Sequence, residues 1–151
     1  MSVIQIIAIS LFVYLGSIGS IVGNTIGWYT LGRPLVASFV VGVIMGDLQT
    51  AMIVGIALQI MYMGNVTPGG AVAWDLSYAT YIGTAGALVF GTGMESTQVI
   101  GLAVVFAGIG GLVGQMVWNL SYALNLPLNR LANKYAEAGE TGKMYIPNVV
   151  C

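Results

Sequence analysis

Apolar blocks alternate along this chain with short connections that are polar or rich in Gly and Pro. The first block, residues 3–22 (VIQIIAISLFVYLGSIGSIV), matches the roughly 20 residues a helix needs to cross a hydrocarbon core and predicts a transmembrane span. A cleaved signal peptide would want a positively charged start and a shorter apolar core, and only Met1 and Ser2 precede the block. Residues 35–63 follow another pattern: two apolar halves, LVASFVVGVIMG and AMIVGIALQIMYM, flank Asp47-Leu48-Gln49-Thr50. Neither half spans alone. The stretch is either one long tilted helix with Asp47 in its middle or two half-length helices meeting at Gly46-Asp47 as a re-entrant hairpin. The hairpin is favoured. A lone carboxylate at bilayer depth costs at least about 2.5 kcal/mol unless it faces water or protein, and Gly before Asp is turn chemistry.

Asn65-Val66-Thr67-Pro68-Gly69-Gly70 is a breaker cluster, since Pro68 cannot donate a backbone hydrogen bond and the glycines permit unusual dihedrals. Irregular backbone in a membrane protein belongs where protein buries it or a watery cavity receives it, which makes this a candidate substrate surface. Residues 71–90 and 99–124 are apolar enough to span. Gly110-x-x-x-Gly114, Gly42-x-x-x-Gly46 and Gly19-x-x-x-Gly23 mark tight helix packing, as do Thr80, Gly83, Thr84 and Gly86. Residues 129–143 (NRLANKYAEAGETGK) are strongly polar and carry three basic side chains, so the positive-inside rule assigns them to a cytoplasmic loop, with a short surface helix as the alternative. The apolar tail 144–151 reads as the start of a further membrane segment, so the chain is expected to be the N-terminal part of a longer polypeptide.

Composition sharpens this all-α, polytopic membrane reading. Of 151 residues 58% are hydrophobic and 6% charged, with a mean hydropathy of +0.92, against roughly 25% charged in soluble domains. The formal net charge of −1 supplies no basic face for nucleic acid. No histidine and one cysteine exclude a histidine metal site, an intrachain disulfide and a Ser–His or Cys–His catalytic pair. Outside the 129–143 stretch only Arg33, Asp47, Asp75 and Glu95 are charged. Arg33 reads as an interfacial anchor, with Trp28 and Tyr29 beside it, and Glu95 as a solvated loop charge.

Several strings then fall in a recognisable order: Gly32-Arg33-Pro34-Leu35-Val36, Gly42-Val43-Ile44-Met45-Gly46-Asp47-Leu48-Gln49-Thr50, Gly55-Ile56-Ala57-Leu58-Gln59, Met63-Gly64, Pro68-Gly69-Gly70-Ala71 and Asp75. Together they resemble the membrane C component (IIC) of the mannose/fructose/sorbose/N-acetylgalactosamine family of bacterial phosphotransferase-system sugar permeases. The resemblance implies a subunit of transmembrane helices plus re-entrant hairpins in the bacterial inner membrane. It also implies a IID membrane partner, cytoplasmic A and B components that carry the phosphoryl group through phosphohistidines, and a homo-oligomer of IIC–IID units. A chain without histidine cannot carry that relay, so it is read as a transport subunit rather than an enzyme, without a cofactor. Gln59 stands where many members have Glu, and Trp74 where a proline is common. The rival functions are an ion-coupled secondary transporter with discontinuous helices, in which Asp47 and Asp75 bind the cation, and a truncated, inactive permease.

Sugar recognition needs side chains that bridge hydroxyls and an aromatic ring against the apolar face of the sugar. Gln59, Asn65, Trp74 and Asp75 lie within 17 positions around the Pro-Gly-Gly break and form the expected substrate-binding set, together with Asp47 at the hairpin turn. For Asp47 the competing role is capping the half-helix that follows it. Gln59 and Asn65 compete with hydrogen bonds inside the hairpin or at a broken helix.

Overall fold

The computed structural model describes residues 1–17, 20–64 and 74–143, and the chain divides into two compact units, Met1–Gln115 and Met116–Cys151. The described residues are mostly helical, with no strand among them. In the first unit α1 (Val3–Gly16) is followed by a short α2 (Gly23–Ile26), which runs into a π-helical turn, Gly27–Leu31. Then come α3 (Pro34–Met45), α4 (Leu48–Tyr62), α5 (Leu76–Phe90) and the start of α6 (Ser96–Glu137).

Local chemistry sets the helix ends. Ser2 and Gln5 form a capping box that starts α1, while Ser17 turns extended (φ −80°, ψ 159°) and stops it, so the helix fills only the first 14 residues of the 3–22 block. Between α3 and α4 the helix breaks, as the hairpin reading expects and the single tilted helix does not. Gly46 takes a left-handed conformation (φ 81°) and Asp47 caps α4, its Oδ1 accepting from Thr50 N at 3.1 Å.

The pairs 35/59, 38/55 and 42/51 make α3 and α4 an antiparallel hairpin. Leu35 N donates to Gln59 Oε1 at 3.4 Å. A Cβ built on Gly55 or Gly42 would stand 2.7 Å from the Cβ of Ser38 or Ala51, so both glycines let the backbones close. Helix α1 runs antiparallel to α3, with Gln5 Nε2 donating to Ile44 O (3.0 Å) at one end and Gly16 against Gly32 at the other. Helix α5 runs parallel to α3: Tyr81 OH donates to Leu31 O (3.1 Å) and the Ser38 and Thr84 hydroxyls meet at 2.8 Å. Its opposite face lies antiparallel on α6, with Gly86 against Phe106, Gly83 against Ala107 and Gly114 against Asp75.

Helix α5 is therefore the centre of the unit. One apolar cluster joins its Ala79 and Ala87 to Val54, Leu58, Val99, Ala103 and Ala107, and a second joins Tyr81 and Ala85 to Ile9, Val13, Ala37 and Val41. The outer faces are apolar too, with Ile4, Ile7, Phe39, Val43, Ile56, Ile60, Val105 and Ile109 all exposed, whereas Ser38, Asp75, Ser77, Thr80 and Thr84 are buried. Among the described helices only α6 is long and apolar enough to cross a membrane, and α1, α3, α4 and α5 are apolar helices of 12 to 15 residues.

In the second unit the polar stretch is helical through Glu137, because Leu131, Ala132, Lys134, Ala136 and Glu137 favour helix. Trp118 and Tyr122 meet edge to face at 5.1 Å, and the Ser121 hydroxyl donates to Val117 O (3.0 Å). Pro127 sits inside the helix without an N–H to give. Past Glu137, Gly139 takes a positive φ of 70°, and Lys143 pairs with Glu140 at 2.9 Å in a short 3-10 turn.

Candidate functional site

The alternating helix directions sort the first unit into two ends. One holds the start of α1, the Gly46–Asp47 turn and the link from α5 to α6. The other gathers the end of α1, the start of α3, the end of α4 and the start of α5, at the level of Gly111 and Gly114 on α6. Gln59, Trp74 and Asp75 share this second end. Asp47 does not: twelve residues before Gln59 on the same helix, it lies about 18 Å away along the axis. Asn65 lies outside the described residues.

Asp75 is 3% exposed and is the N-cap of α5, its Oδ1 accepting from Tyr78 N at 3.0 Å. Its own N–H donates to Gly111 O at 3.4 Å, and the missing side chain at Gly114 makes room for its Cβ. A carboxylate has room for about four hydrogen bonds, so the backbone contacts from Tyr78 and Ser77 leave acceptor capacity for a ligand hydroxyl. Trp74 is 39% exposed and leans on Gly111, presenting part of its ring outside the core. Gln59 spends its carbonyl on the Leu35 N–H, which belongs to the first turn of α3 and has no intrahelical partner. The hairpin role and the ligand role therefore meet in one side chain, whose amide N–H groups remain the donors it can offer. Arg33 precedes Pro34 at this same end, its guanidinium 5.4 Å from the centre of the Tyr29 ring.

Reasoning from the sequence read Thr84 as a helix-packing position but gave no role to Ser77 and Tyr81, which share a stripe of hydroxyls with it on α5. Ser77 donates to Gly16 O at 2.6 Å, Tyr81 to Leu31 O, and Thr84 pairs with Ser38, each reaching a different segment. The signal was the spacing 77, 81, 84, which puts three hydroxyls on one helical face inside an apolar block. No group of three or more potential metal ligands occurs among the described residues.

Half-length helices with polar groups at their breaks and an apolar exterior form an arrangement suited to apolar surroundings. Over residues 3–151 the chain matches the PTS system sorbose-specific IIC component family, and it belongs to that family. It is 28% identical over 136 residues to the PTS system mannose-specific EIIC component of Escherichia coli K12, covering 90% of this chain and 47% of that protein. It is 32% identical over 141 residues to the fructose permease IIC component of Bacillus subtilis 168, covering 92% and 48%. The fold is similar to a chain in the cryo-EM structure of the mannose transporter ManYZ with microcin E492, at a TM-score of 0.69 and 25% identity, over 99% of this chain and 56% of that one. The chain spans about half the length of the curated relatives it matches.

Proposed function

We propose that this chain is the sugar-binding and translocating part of a phosphoenolpyruvate-dependent permease. A hexose or amino sugar is taken up at the end of the bundle that holds Gln59, Trp74 and Asp75. The observation that carries the reading is this convergence: a buried carboxylate, an amide and a half-exposed indole at the ends of helices whose outer faces are apolar. The carboxylate accepts from sugar hydroxyls, the Gln59 amide donates, and the Trp74 ring covers an apolar face of the sugar. Asn65 belongs to the same site by its place in the sequence, and Asp47 serves the hairpin turn. The apolar exterior supports a multi-pass subunit of the bacterial inner membrane. Helices α3 and α4, roughly 18 and 22 Å long, enter the roughly 30 Å hydrocarbon core without crossing it. Residues 129–143 face the cytoplasm. A IID subunit completes the permease in a homo-oligomer of IIC–IID units, and cytoplasmic A and B components deliver the phosphoryl group.

The test is sugar phosphorylation and uptake in membrane vesicles carrying the chain with its A, B and IID partners. Uptake is expected to require phosphoenolpyruvate and to survive an uncoupler. Asp75→Asn keeps a residue type that caps helices well but removes the charge, and loss of one charged hydrogen bond, about 1.5–3 kcal/mol, predicts a fall in sugar affinity of about tenfold or more. Uptake that collapses with an uncoupler while phosphoenolpyruvate is intact would show an ion-coupled transporter instead. Unchanged affinity in Asp75→Asn would remove Asp75 from the site.

A further inference from the structure

The carbonyl of Gly16 is one of the acceptors that the C-terminus of α1 leaves without an intrahelical partner, and it is buried. The Ser77 hydroxyl donates to it at 2.6 Å across 61 positions of sequence. Gly32 closes the junction: a Cβ there would stand 2.6 Å from both Gly16 O and Ser77 Oγ, and a Cβ on Gly16 would stand 3.2 Å from Gly32 N. Three segments, the end of α1, the link into α3 and the first turn of α5, thus meet around one hydrogen bond. Two residues before Ser77 is Asp75, whose other side rests on Gly111 and Gly114 of α6.

We propose that Ser77 is a positioning residue for the sugar site: its bond to Gly16 O fixes the first turn of α5 and with it the place of the Asp75 carboxylate and the Trp74 ring. The inference rests on the reading of Asp75 as a sugar ligand. Helix α5 supplies its own control. Thr84 carries another buried hydroxyl bonded to a neighbouring helix, but nine residues from Asp75, about 13 Å along the axis. Ser77→Ala and Thr84→Val each delete one such bond. A purely structural role for Ser77 makes the two variants behave alike, whereas a positioning role separates them in substrate affinity.

The experiment measures KM and maximal rate of phosphoenolpyruvate-dependent sugar phosphorylation for the chain assembled with its partner components, at matched amounts of membrane-inserted protein. Ser77→Ala is expected to raise KM about fivefold to tenfold, which corresponds to about 1–1.4 kcal/mol, with a smaller change in maximal rate. Thr84→Val is expected to leave KM within about twofold. Gly32→Ala, which keeps the hydroxyl but drives a methyl into the junction, should reproduce the KM effect and provides the measurement if Ser77→Ala fails to accumulate. Equal KM changes in Ser77→Ala and Thr84→Val, or no change in Ser77→Ala and Gly32→Ala while Asp75→Asn loses affinity, would overturn the positioning role and leave the sugar site standing. Unchanged KM in Asp75→Asn would remove the site itself and this inference with it.

Discussion

Replacing Gly114 by alanine tests the contact that holds the start of α5 against α6 at the candidate site. A Cβ at this position would stand 2.5 Å from the Asp75 Cβ, 2.7 Å from the Tyr78 Cβ and 2.8 Å from the Tyr78 Cγ, where carbon atoms prefer about 3.5–4.0 Å. The two Cβ atoms are fixed to the backbone and cannot rotate aside, so α5 and α6 must part by about 1 Å here. The Asp75 N–H bond to Gly111 O, already 3.4 Å long, would be lost with that movement. Overpacking of this kind costs about 1–3 kcal/mol, of which up to about 1 kcal/mol returns because alanine favours helix over glycine. Gly114→Ala is thus expected to destabilise the protein by about 1–2 kcal/mol. Gly108, on the same helix, has nothing within 4 Å of a built Cβ, so Gly108→Ala collects only the helix gain and should be neutral or stabilising. Unfolding in detergent micelles, followed by circular dichroism of the helices, compares the two directly. A Gly114→Ala protein as stable as Gly108→Ala would mean that α5 and α6 do not meet in this register.

Ser38→Ala or Thr84→Val alone leaves a buried hydroxyl without its partner and should cost about 1–3 kcal/mol, while the double variant recovers most of the loss. Additive losses in the same unfolding assay would refute the pairing. Asp47→Ala removes the α4 cap at about 0.5–2 kcal/mol, whereas Asp47→Ser restores a capping oxygen and is expected to keep both stability and sugar uptake. A selective loss of sugar affinity in Asp47→Ser would return Asp47 to the binding set. Gly46→Ala forces a side chain into the left-handed conformation and should loosen the hairpin turn by about 1–2 kcal/mol, read as a lower unfolding midpoint.

Much of this structure was legible locally. The Gly46–Asp47 break, the cap on α4 and the close packing at Gly42, Gly110 and Gly114 all follow from residue types whose effect reaches only a turn or a neighbouring helix. The short α1 was harder to read, because the apolar run continues past Gly16 and hydropathy registers no break there. That Gln59 and Asp75 fall at the same end, and Asp47 at the other, depends on which way each helix runs, information that no window of sequence holds. Ser77 and Tyr81 were visible as polar positions in an apolar block, but their acceptors stand 61 and 50 positions away. The carbonyls they satisfy lack helical partners only because α1 and the π-helical turn stop where they do.

Those stops explain why polar side chains of this unit gather where its helices end. A short helix has the same number of unpartnered terminal N–H and C=O groups as a long one, so helices of 12 to 15 residues carry a high density of them. Behind apolar outer faces these groups must be satisfied by side chains. At the end shared by α1, α3, α4 and α5 that work falls to Ser77, Tyr81, Gln59 and Asp75. Each such side chain is itself a polar group held in place with capacity beyond its bond to backbone: the Ser77 and Tyr81 oxygens keep acceptor lone pairs, the Gln59 amide keeps its N–H donors and the Asp75 carboxylate keeps further acceptor sites. The requirement that ends these helices in apolar surroundings therefore also leaves, at one level of the bundle, fixed donors and acceptors that suit a hydroxyl-rich ligand. A site of this origin needs its backbone partners intact. Perturbing Gly16, Gly32 or Leu35 should accordingly act on affinity through Ser77 and Gln59, even where the substituted residue never touches the sugar.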